Sequence, residues 1–297
     1  MSGDGIGAGR VAVRAATGAV VMAFALGVGN TVGVRIVELA GWEGFAARFA
    51  PALLVTLLAV PTVIIMWRRQ FGTLAGLGVA EPGRAVGGFI AGLLVTGAAA
   101  AVVMAVGTGL HWIEWGAVDP GALAGFLVTN TVIALLLEAL PEEVTLRGYV
   151  WGNLRKRFRP VLSAVLVTIL FLLVPSAANL FGALADLALG QPAGHIGLVP
   201  EGEDAIVYLT LLTLFSAMLI AARVSLGTVW TGIGAHLMFL TVNRLLLEGE
   251  ARGTGWSIDL VSLDALLLIP MYLLLAVVLF GLVRRWDRRR RGTYRTS

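Results

Sequence analysis

About eight long apolar segments, separated by short polar stretches, dominate the 297-residue sequence. A helix that crosses the hydrocarbon core of a bilayer needs about 20 largely apolar residues. Charged residues make up only 13% of the chain, about half of the fraction found in ordinary soluble domains. The sequence therefore predicts an all-α polytopic membrane protein, with residues 1–297 forming a single integral membrane domain. The predicted transmembrane helices are 17–38, 51–67, 85–110, 122–140, 161–184, 206–222, 227–247 and 260–283.

Basic residues fall mainly on one side of this predicted topology. With the N-terminus inside, the inner segments carry 18 of the 22 basic residues and the outer segments carry four. Positive residues favour the cytoplasmic side, so both termini are predicted to be cytoplasmic, with residues 284–297 as a basic cytoplasmic tail. Lys156 is the only lysine. The preference for arginine is typical of GC-rich bacterial genomes, and it favours a bacterial plasma membrane.

The net charge of +4 does not indicate a nucleic-acid partner, because the arginines lie at helix ends and in the tail, where topology requires them. Membrane lipid is the expected partner, and the tail could also attract anionic lipid. The chain has no cysteine, which excludes disulfides, thiolate metal sites and a cysteine nucleophile.

Acidic residues cluster where the fourth apolar segment ends. Glu142 and Glu143 follow Pro141, which removes a backbone donor and disturbs a helix, and Arg147 lies four residues after Glu143. Glu143 and Arg147 can pair on one helical face, while Glu142 points about 100° away. We expect arginine to hold Glu143 ionised and Glu142 to lie in a drier setting. Such a difference in environment suits general-base chemistry, although an interfacial helix end with exposed charges is the alternative.

A second polar position lies within the seventh apolar segment. No charged residue lies within several residues of His236, and Asn243 follows two helical turns later on the same face. Ionisable groups inside a span usually face a functional interior or a partner. A structural hydrogen bond to a neighbouring helix is the alternative for His236.

Two stretches resemble the CAAX-protease and bacteriocin-processing family of intramembrane endopeptidases, which includes the type II CAAX prenyl proteases. Residues 142–147, EEVTLR, match the family pattern E-E-x-x-x-R, and a glycine and a basic turn follow. The stretch ending at His236 is similar to the one that carries the family's last histidine. The resemblance covers about residues 122–243, which are predicted to form a helical core like that of the family.

The resemblance implies a polar cavity within the membrane, reached from the cytoplasm, where a glutamate activates water. Glu142 would be the general base and Glu143 its partner, while Arg147 would fix the carboxylate and His236 would polarise water or stabilise the oxyanion. The substrate would be a peptide or lipidated protein. Whether a divalent metal such as zinc takes part is open, and Glu142, Glu143 and His236 would be its ligands.

The sequence departs from the family pattern at two positions. The motif F-x-x-x-H begins at Phe171, but Pro175 stands at the histidine position. The asparagine expected four residues after His236 is Leu240. Supporting roles would then fall to Asn243, and Ser176 or Asn179 would partly replace the lost histidine.

Three functions remain open at this point. The chain could be an active intramembrane endopeptidase with a degenerate site, or a catalytically silent scaffold, regulator or immunity-type protein. It could also be a small-molecule transporter in which Glu142 and His236 bind protons or substrate, although it lacks the repeated halves that transporters often show.

Overall fold

Helices make up nearly all of the regular structure. A computed structural model describes residues 7–79, 81–202 and 204–293, with side chains described up to Arg290. In this part of the chain, seven helices are long and apolar enough to cross a membrane, so the predicted all-α polytopic architecture is confirmed. The long helices are α1 (Ala8–Ala40), α2 (Gly44–Phe71), α3 (Pro82–Gly109), α4 (Pro120–Leu154), α5 (Pro160–Ala188), α6 (Ala205–Leu226), α7 (Val229–Leu246) and α8 (Leu268–Thr293).

The helix predicted at 227–247 forms as α7, but it does not count among those seven. It is only 18 residues long and contains His236, Asn243 and Arg244, which lower its apolar character. Most residues in its first half are buried. Because protein rather than lipid surrounds these side chains, α7 does not need the uniformly apolar surface of a lipid-facing span.

The acidic motif lies inside a helix rather than at its end. We expected the fourth span to stop at residue 140, but α4 continues through Pro141 to Leu154. Two π-helical stretches, Leu135–Ala139 and Glu143–Val150, flank the proline. A π-helical turn accommodates an irregularity in the hydrogen-bond ladder, and such turns occur frequently at functional sites. The disturbance predicted from Pro141 is therefore absorbed within α4.

The described residues form two compact units. The first contains residues 7–79 and 136–216, and the second contains residues 81–135 and 217–293. In the first unit α1 packs against α2 and α5. Gly27 allows the closest approach, because a Cβ there would overlap the carbonyl oxygen of Ala178 on α5. The prediction of a single domain over residues 1–297 stays a prediction.

In the second unit, α3 and α7 cross at equally close range. A Cβ on Gly234 of α7 would overlap the carbonyl oxygen of Phe89, and one on Gly92 of α3 would overlap that of Thr231. Helices in membranes associate through such small residues because their backbones can then approach closely. Helix α8 packs on α3 in the same unit.

A small antiparallel sheet, which the sequence did not predict, joins two loops of the second unit. Strand β1 (Ile113–Trp115) pairs with β2 (Ile258–Leu260). Trp115 stacks on Trp256 with ring centroids 4.8 Å apart. Three-residue strands are too short for an alternating pattern to be visible in the sequence.

The loop between the fifth and sixth predicted helices and the predicted tail are each described in part. Residues 189–202 and 204 are irregular, as expected for a loop. The start of the predicted basic tail, residues 284–293, continues α8 as a helix. The last four residues of that tail lie outside the described chain.

Candidate functional site

A buried ion pair forms the centre of the candidate site in the first unit. Arg147 Nη1 lies 3.3 Å from Glu143 Oε1, and both side chains are 0% exposed. Both residues belong to the π-helical stretch Glu143–Val150 of α4. The pair is the one that the four-residue spacing predicts. A buried pair of this kind survives only when its desolvation is offset by good geometry and further polar contacts.

The guanidinium of Arg147 is held by two other helices as well. Its Nη2 donates a hydrogen bond of 3.4 Å to Ser216 Oγ on α6, and that hydroxyl lies 3.0 Å from Thr168 Oγ1 on α5. The guanidinium carbon lies 4.4 Å from the ring centroid of Phe171, within the range of a cation–π interaction. Three helices of the first unit therefore fix the position of Arg147.

Glu142 and Glu143 occupy different environments, but in the opposite sense to our expectation. Glu143 is fully buried, whereas Glu142 is partly exposed. The prediction that Glu142 would lie in the drier setting was wrong. The reason is that Arg147 lies on the inward face of α4 and pairs with Glu143 there, so the Glu143 side chain is buried as well. Glu142, about 100° around the helix, is left on a more accessible face.

Phe171, Ser176 and Asn179 lie along α5 together with Pro175. Helix α5 continues without a break through Pro175, from Pro160 to Ala188. Phe171 is buried against Arg147, while Pro175, Ser176 and Asn179 are partly exposed. The first residue of the family's F-x-x-x-H pattern thus has a visible role here, which is to contact the arginine. The supporting roles of Ser176 and Asn179 stay predictions.

The predicted residues of α7 belong to the second unit. His236 is buried, with 1% of its surface exposed, and Leu240 is also buried. Asn243 Oδ1 accepts a hydrogen bond of 3.1 Å from the hydroxyl of Tyr272 on α8. Its amide is therefore oriented by a neighbour in its own unit. The convergence of His236 with Glu142 and Glu143 stays a prediction.

A second polar network in this unit was not predicted from the sequence. Asn130 Oδ1 accepts a hydrogen bond from Arg244 Nη1 at 3.3 Å, and Asn130 Nδ2 donates to Thr241 Oγ1 at 3.2 Å. The network joins α4 to α7. The sequence signals were a polar and a charged residue within apolar segments, Asn130 and Arg244.

The carboxylates of the first unit do not by themselves fit a zinc site. Zinc in catalytic sites takes three protein ligands, and within the described residues no three histidine, aspartate or glutamate side chains are grouped to hold a metal ion. One oxygen of Glu143 already faces Arg147. The described carboxylates of this unit therefore do not supply the ligands of a catalytic zinc site.

The contacts of Arg147 include the residues that the sequence analysis missed. Ser216 and Thr168 are ordinary hydroxyl residues of apolar helices, and nothing in the sequence distinguishes them from the others.

A partly exposed carboxylate beside a fixed, buried ion pair can accept a proton from water while the ion pair keeps the helix rigid.

Comparison with known families gives a match over the part of the chain that contains the candidate residues. Residues 124–242 match the family described as type II CAAX prenyl endopeptidase Rce1-like. The match runs from α4 to α7 and confirms the resemblance seen in the two motifs. No curated protein and no solved structure gives a significant match.

Proposed function

We propose that this multi-pass membrane protein is an intramembrane endopeptidase with a weakened active site. One observation carries the proposal. Within the segment that matches the prenyl endopeptidases, Glu142 is partly exposed beside the fully buried Glu143–Arg147 pair. This arrangement offers a carboxylate that can reach water next to a charge pair that can hold it in place.

In the proposed reaction, Glu142 accepts a proton from a water molecule as the water oxygen attacks the carbonyl carbon of a peptide bond. The carbonyl oxygen becomes an oxyanion, which His236 would stabilise. When the carbon–nitrogen bond breaks, protonated Glu142 gives its proton to the leaving amine. Water is consumed, and one carboxylic acid and one amine are formed. General acid–base catalysis of this kind typically contributes about 10²–10⁴-fold in rate.

In this scheme Glu143 and Arg147 are positioning residues. Arg147 is fixed by Ser216 and Phe171, and the ion pair then fixes the π-helical stretch that begins at Glu143. Because Glu142 immediately precedes this stretch, its backbone position depends on the pair. Pre-organisation of this kind limits the reorganisation needed during the reaction.

The proposed substrate is a peptide or lipidated protein at the membrane surface. We also propose that the protein lies in a bacterial plasma membrane with both termini in the cytoplasm, based on the distribution of basic residues. Reporter fusions after residue 202 and at the C-terminus should report opposite sides of the membrane. Reporters on the same side would refute this topology.

The direct test is peptide cleavage by the purified protein in lipid nanodiscs, followed by mass spectrometry of the products. We expect slow cleavage of farnesylated or membrane-embedded peptides by the wild type and none by Glu142→Gln. Glu114→Gln, which removes an exposed carboxylate from strand β1, is the matched control and should retain the wild-type rate. Equal rates for wild type and Glu142→Gln would refute the assigned general base.

A silent binding protein is the second candidate, and the residues at two motif positions favour it. Pro175 has no side-chain donor or ligand, and Leu240 is a buried apolar residue where the family pattern has asparagine. Such a protein would bind a membrane peptide without cleaving it. Binding of a farnesylated peptide with unchanged affinity in Glu142→Gln, together with no cleavage by the wild type, would support this candidate.

A further inference from the structure

A polar cavity lies in the first unit at the C-terminal ends of α1 and α5. Its volume is about 320 Å³. Six of its nine lining residues are polar or charged, and they come from α1, from α5 and from the loop that follows α5. These residues are Asn30, Thr31, Arg35, Glu38, Asp186 and Gln191.

This cavity is separate from the carboxylate site. Phe171, which contacts Arg147, precedes Asp186 by 15 residues on the same helix, a distance of about 22 Å along the axis at 1.5 Å per residue. None of the residues assigned to the reaction lines the cavity. The charge distribution of the sequence predicts that this end faces the exterior.

The charges in the wall favour a cation. Arg35 Nη1 donates to Glu38 Oε2 at 2.9 Å, so these two residues form a neutral pair. Asp186 then gives the cavity a net negative charge. Its Oδ2 accepts a hydrogen bond from the backbone N–H of Gly194 at 3.3 Å, which fixes the carboxylate next to the loop that follows α5.

The form of the cation follows from the neutral groups in the wall. Asn30, Thr31 and Gln191 line the cavity with side chains that contain amide or hydroxyl oxygens. Such oxygens, together with the Asp186 carboxylate, can accept hydrogen bonds from the three N–H groups of a primary ammonium group. A transition-metal ion such as zinc fits less well, because no three histidine, aspartate or glutamate side chains are grouped to hold a metal ion among the described residues. Val34 and Leu189, which are 42% and 41% exposed, provide apolar contact for the carbon chain attached to the ammonium.

We propose that this cavity binds a primary ammonium group, carried either by a small free amine or by an aminophospholipid headgroup. Asp186 is the anchoring charge, and the neutral oxygens accept the remaining N–H donors. The proposal is independent of the peptidase activity, because it uses none of the residues assigned to that reaction.

Two parallel experiments test the proposal and distinguish the two sources. In the first, wild-type protein in phosphatidylcholine nanodiscs is titrated with ethanolamine, and the melting temperature is followed. In the second, phosphatidylethanolamine replaces part of the phosphatidylcholine, and retained lipid is measured by native mass spectrometry. A ligand that binds only the folded state raises the melting temperature as its concentration passes the Kd.

We expect stabilisation by ethanolamine, retention of phosphatidylethanolamine, or both, and a response to choline at least tenfold weaker because choline lacks N–H donors. Asp186→Asn should weaken the response at least tenfold, although its side-chain oxygen can still accept from Gly194. If Asp186→Asn does not fold, Val34→Trp is the alternative variant. It narrows the mouth of the cavity from a partly exposed position and should also weaken the response at least tenfold. Glu43→Gln, an exposed acid of this unit outside the cavity, should respond like the wild type.

Three results would overturn the proposal. The first is a wild-type protein that neither ethanolamine nor phosphatidylethanolamine stabilises or binds. The second is a folded Asp186→Asn or Val34→Trp protein with the wild-type response. The third is an equal response to ethanolamine and choline, which would show that N–H donors play no part.

Discussion

Glu143 and Arg147 form an ion pair, 3.3 Å between Oε1 and Nη1, in which neither side chain has any exposed surface. Removal of one partner would leave an uncompensated charge in the interior. Breaking a buried pair in this way costs about 3–5 kcal/mol, whereas replacing both charges by neutral groups is often tolerated.

We therefore predict that Arg147→Met or Glu143→Gln alone lowers the free energy of unfolding by about 3–5 kcal/mol. The double variant Glu143→Gln/Arg147→Met should recover most of that loss. Reversible unfolding in detergent micelles, followed by circular dichroism, measures the change.

The pair Glu248–Arg252 provides a matched control, since its side chains are 49% and 42% exposed. Arg252→Met should cost less than about 1 kcal/mol, as is usual for surface pairs. A loss in Arg147→Met no larger than in Arg252→Met would contradict the importance of the buried pair.

Ser216 provides a test of how Arg147 is positioned. Ser216→Ala removes the 3.4 Å hydrogen bond to the guanidinium but leaves the ion pair intact. Hydrogen bonds to charged groups contribute about 1.5–3 kcal/mol. If about 1.5 kcal/mol of this is lost from the stabilisation of the transition state, kcat/KM falls about tenfold. We expect this decrease to appear mainly in kcat, because Ser216 is fully buried and acts through Arg147.

Ser216→Thr, which keeps the hydroxyl, is the rescue variant and should retain most of the activity. If Ser216→Ala and Ser216→Thr lose activity equally, the effect is one of packing and the hydroxyl does not position the arginine.

The sequence predicted the helical membrane fold because apolar runs of sufficient length have few alternatives in a bilayer. It also predicted the ion pair, because residues four apart on a helix are neighbours. It could not predict that α4 continues past Pro141. That outcome depends on tertiary packing and on π-helical turns, and neither leaves a periodic signal in a single sequence.

The burial of Glu142 and Glu143 was assigned the wrong way round for a related reason. Helical periodicity gives the angle between two side chains, but it does not say which of them faces the protein interior. The direction is set by the partners of Arg147, namely Ser216 and Phe171. These partners lie on other helices, so only the tertiary structure shows that Glu143 is the buried residue.

Close helix packing in the second unit gives a third prediction. Because a Cβ on Gly234 would overlap the carbonyl oxygen of Phe89, Gly234→Ala must push α3 and α7 apart. Overpacking of this kind typically costs about 1–3 kcal/mol. Gly87→Ala, on α3 in the same unit, adds its methyl group where no atom lies within 4 Å.

We expect Gly234→Ala to lower the melting temperature in micelles, whereas Gly87→Ala should leave it unchanged or raise it slightly. Equal melting temperatures for the two variants would show that α3 and α7 do not pack as closely as described.

The last prediction concerns Pro175 and Leu240, because these positions separate a weakened enzyme from a silent binding protein. If the site is only weakened, Glu142 can still activate water, and restoring the missing side chains should accelerate cleavage. The absence of one acid–base or orienting group typically costs about 10²–10⁴-fold in rate. We therefore expect Pro175→His/Leu240→Asn to cleave membrane peptides at least tenfold faster than the wild type.

The stability of the double variant limits the expected increase in its cleavage rate. Leu240 is buried, and a buried amide without full hydrogen bonding costs about 1–3 kcal/mol, so unfolding must be measured alongside activity. Adding Glu142→Gln to the double variant should abolish the cleavage and is the essential control. A folded double variant with no activity would favour the silent binding protein. Rapid cleavage by the wild type that persists in Glu142→Gln would rule out Glu142 as the general base, because a neutral amide cannot accept the proton of the attacking water.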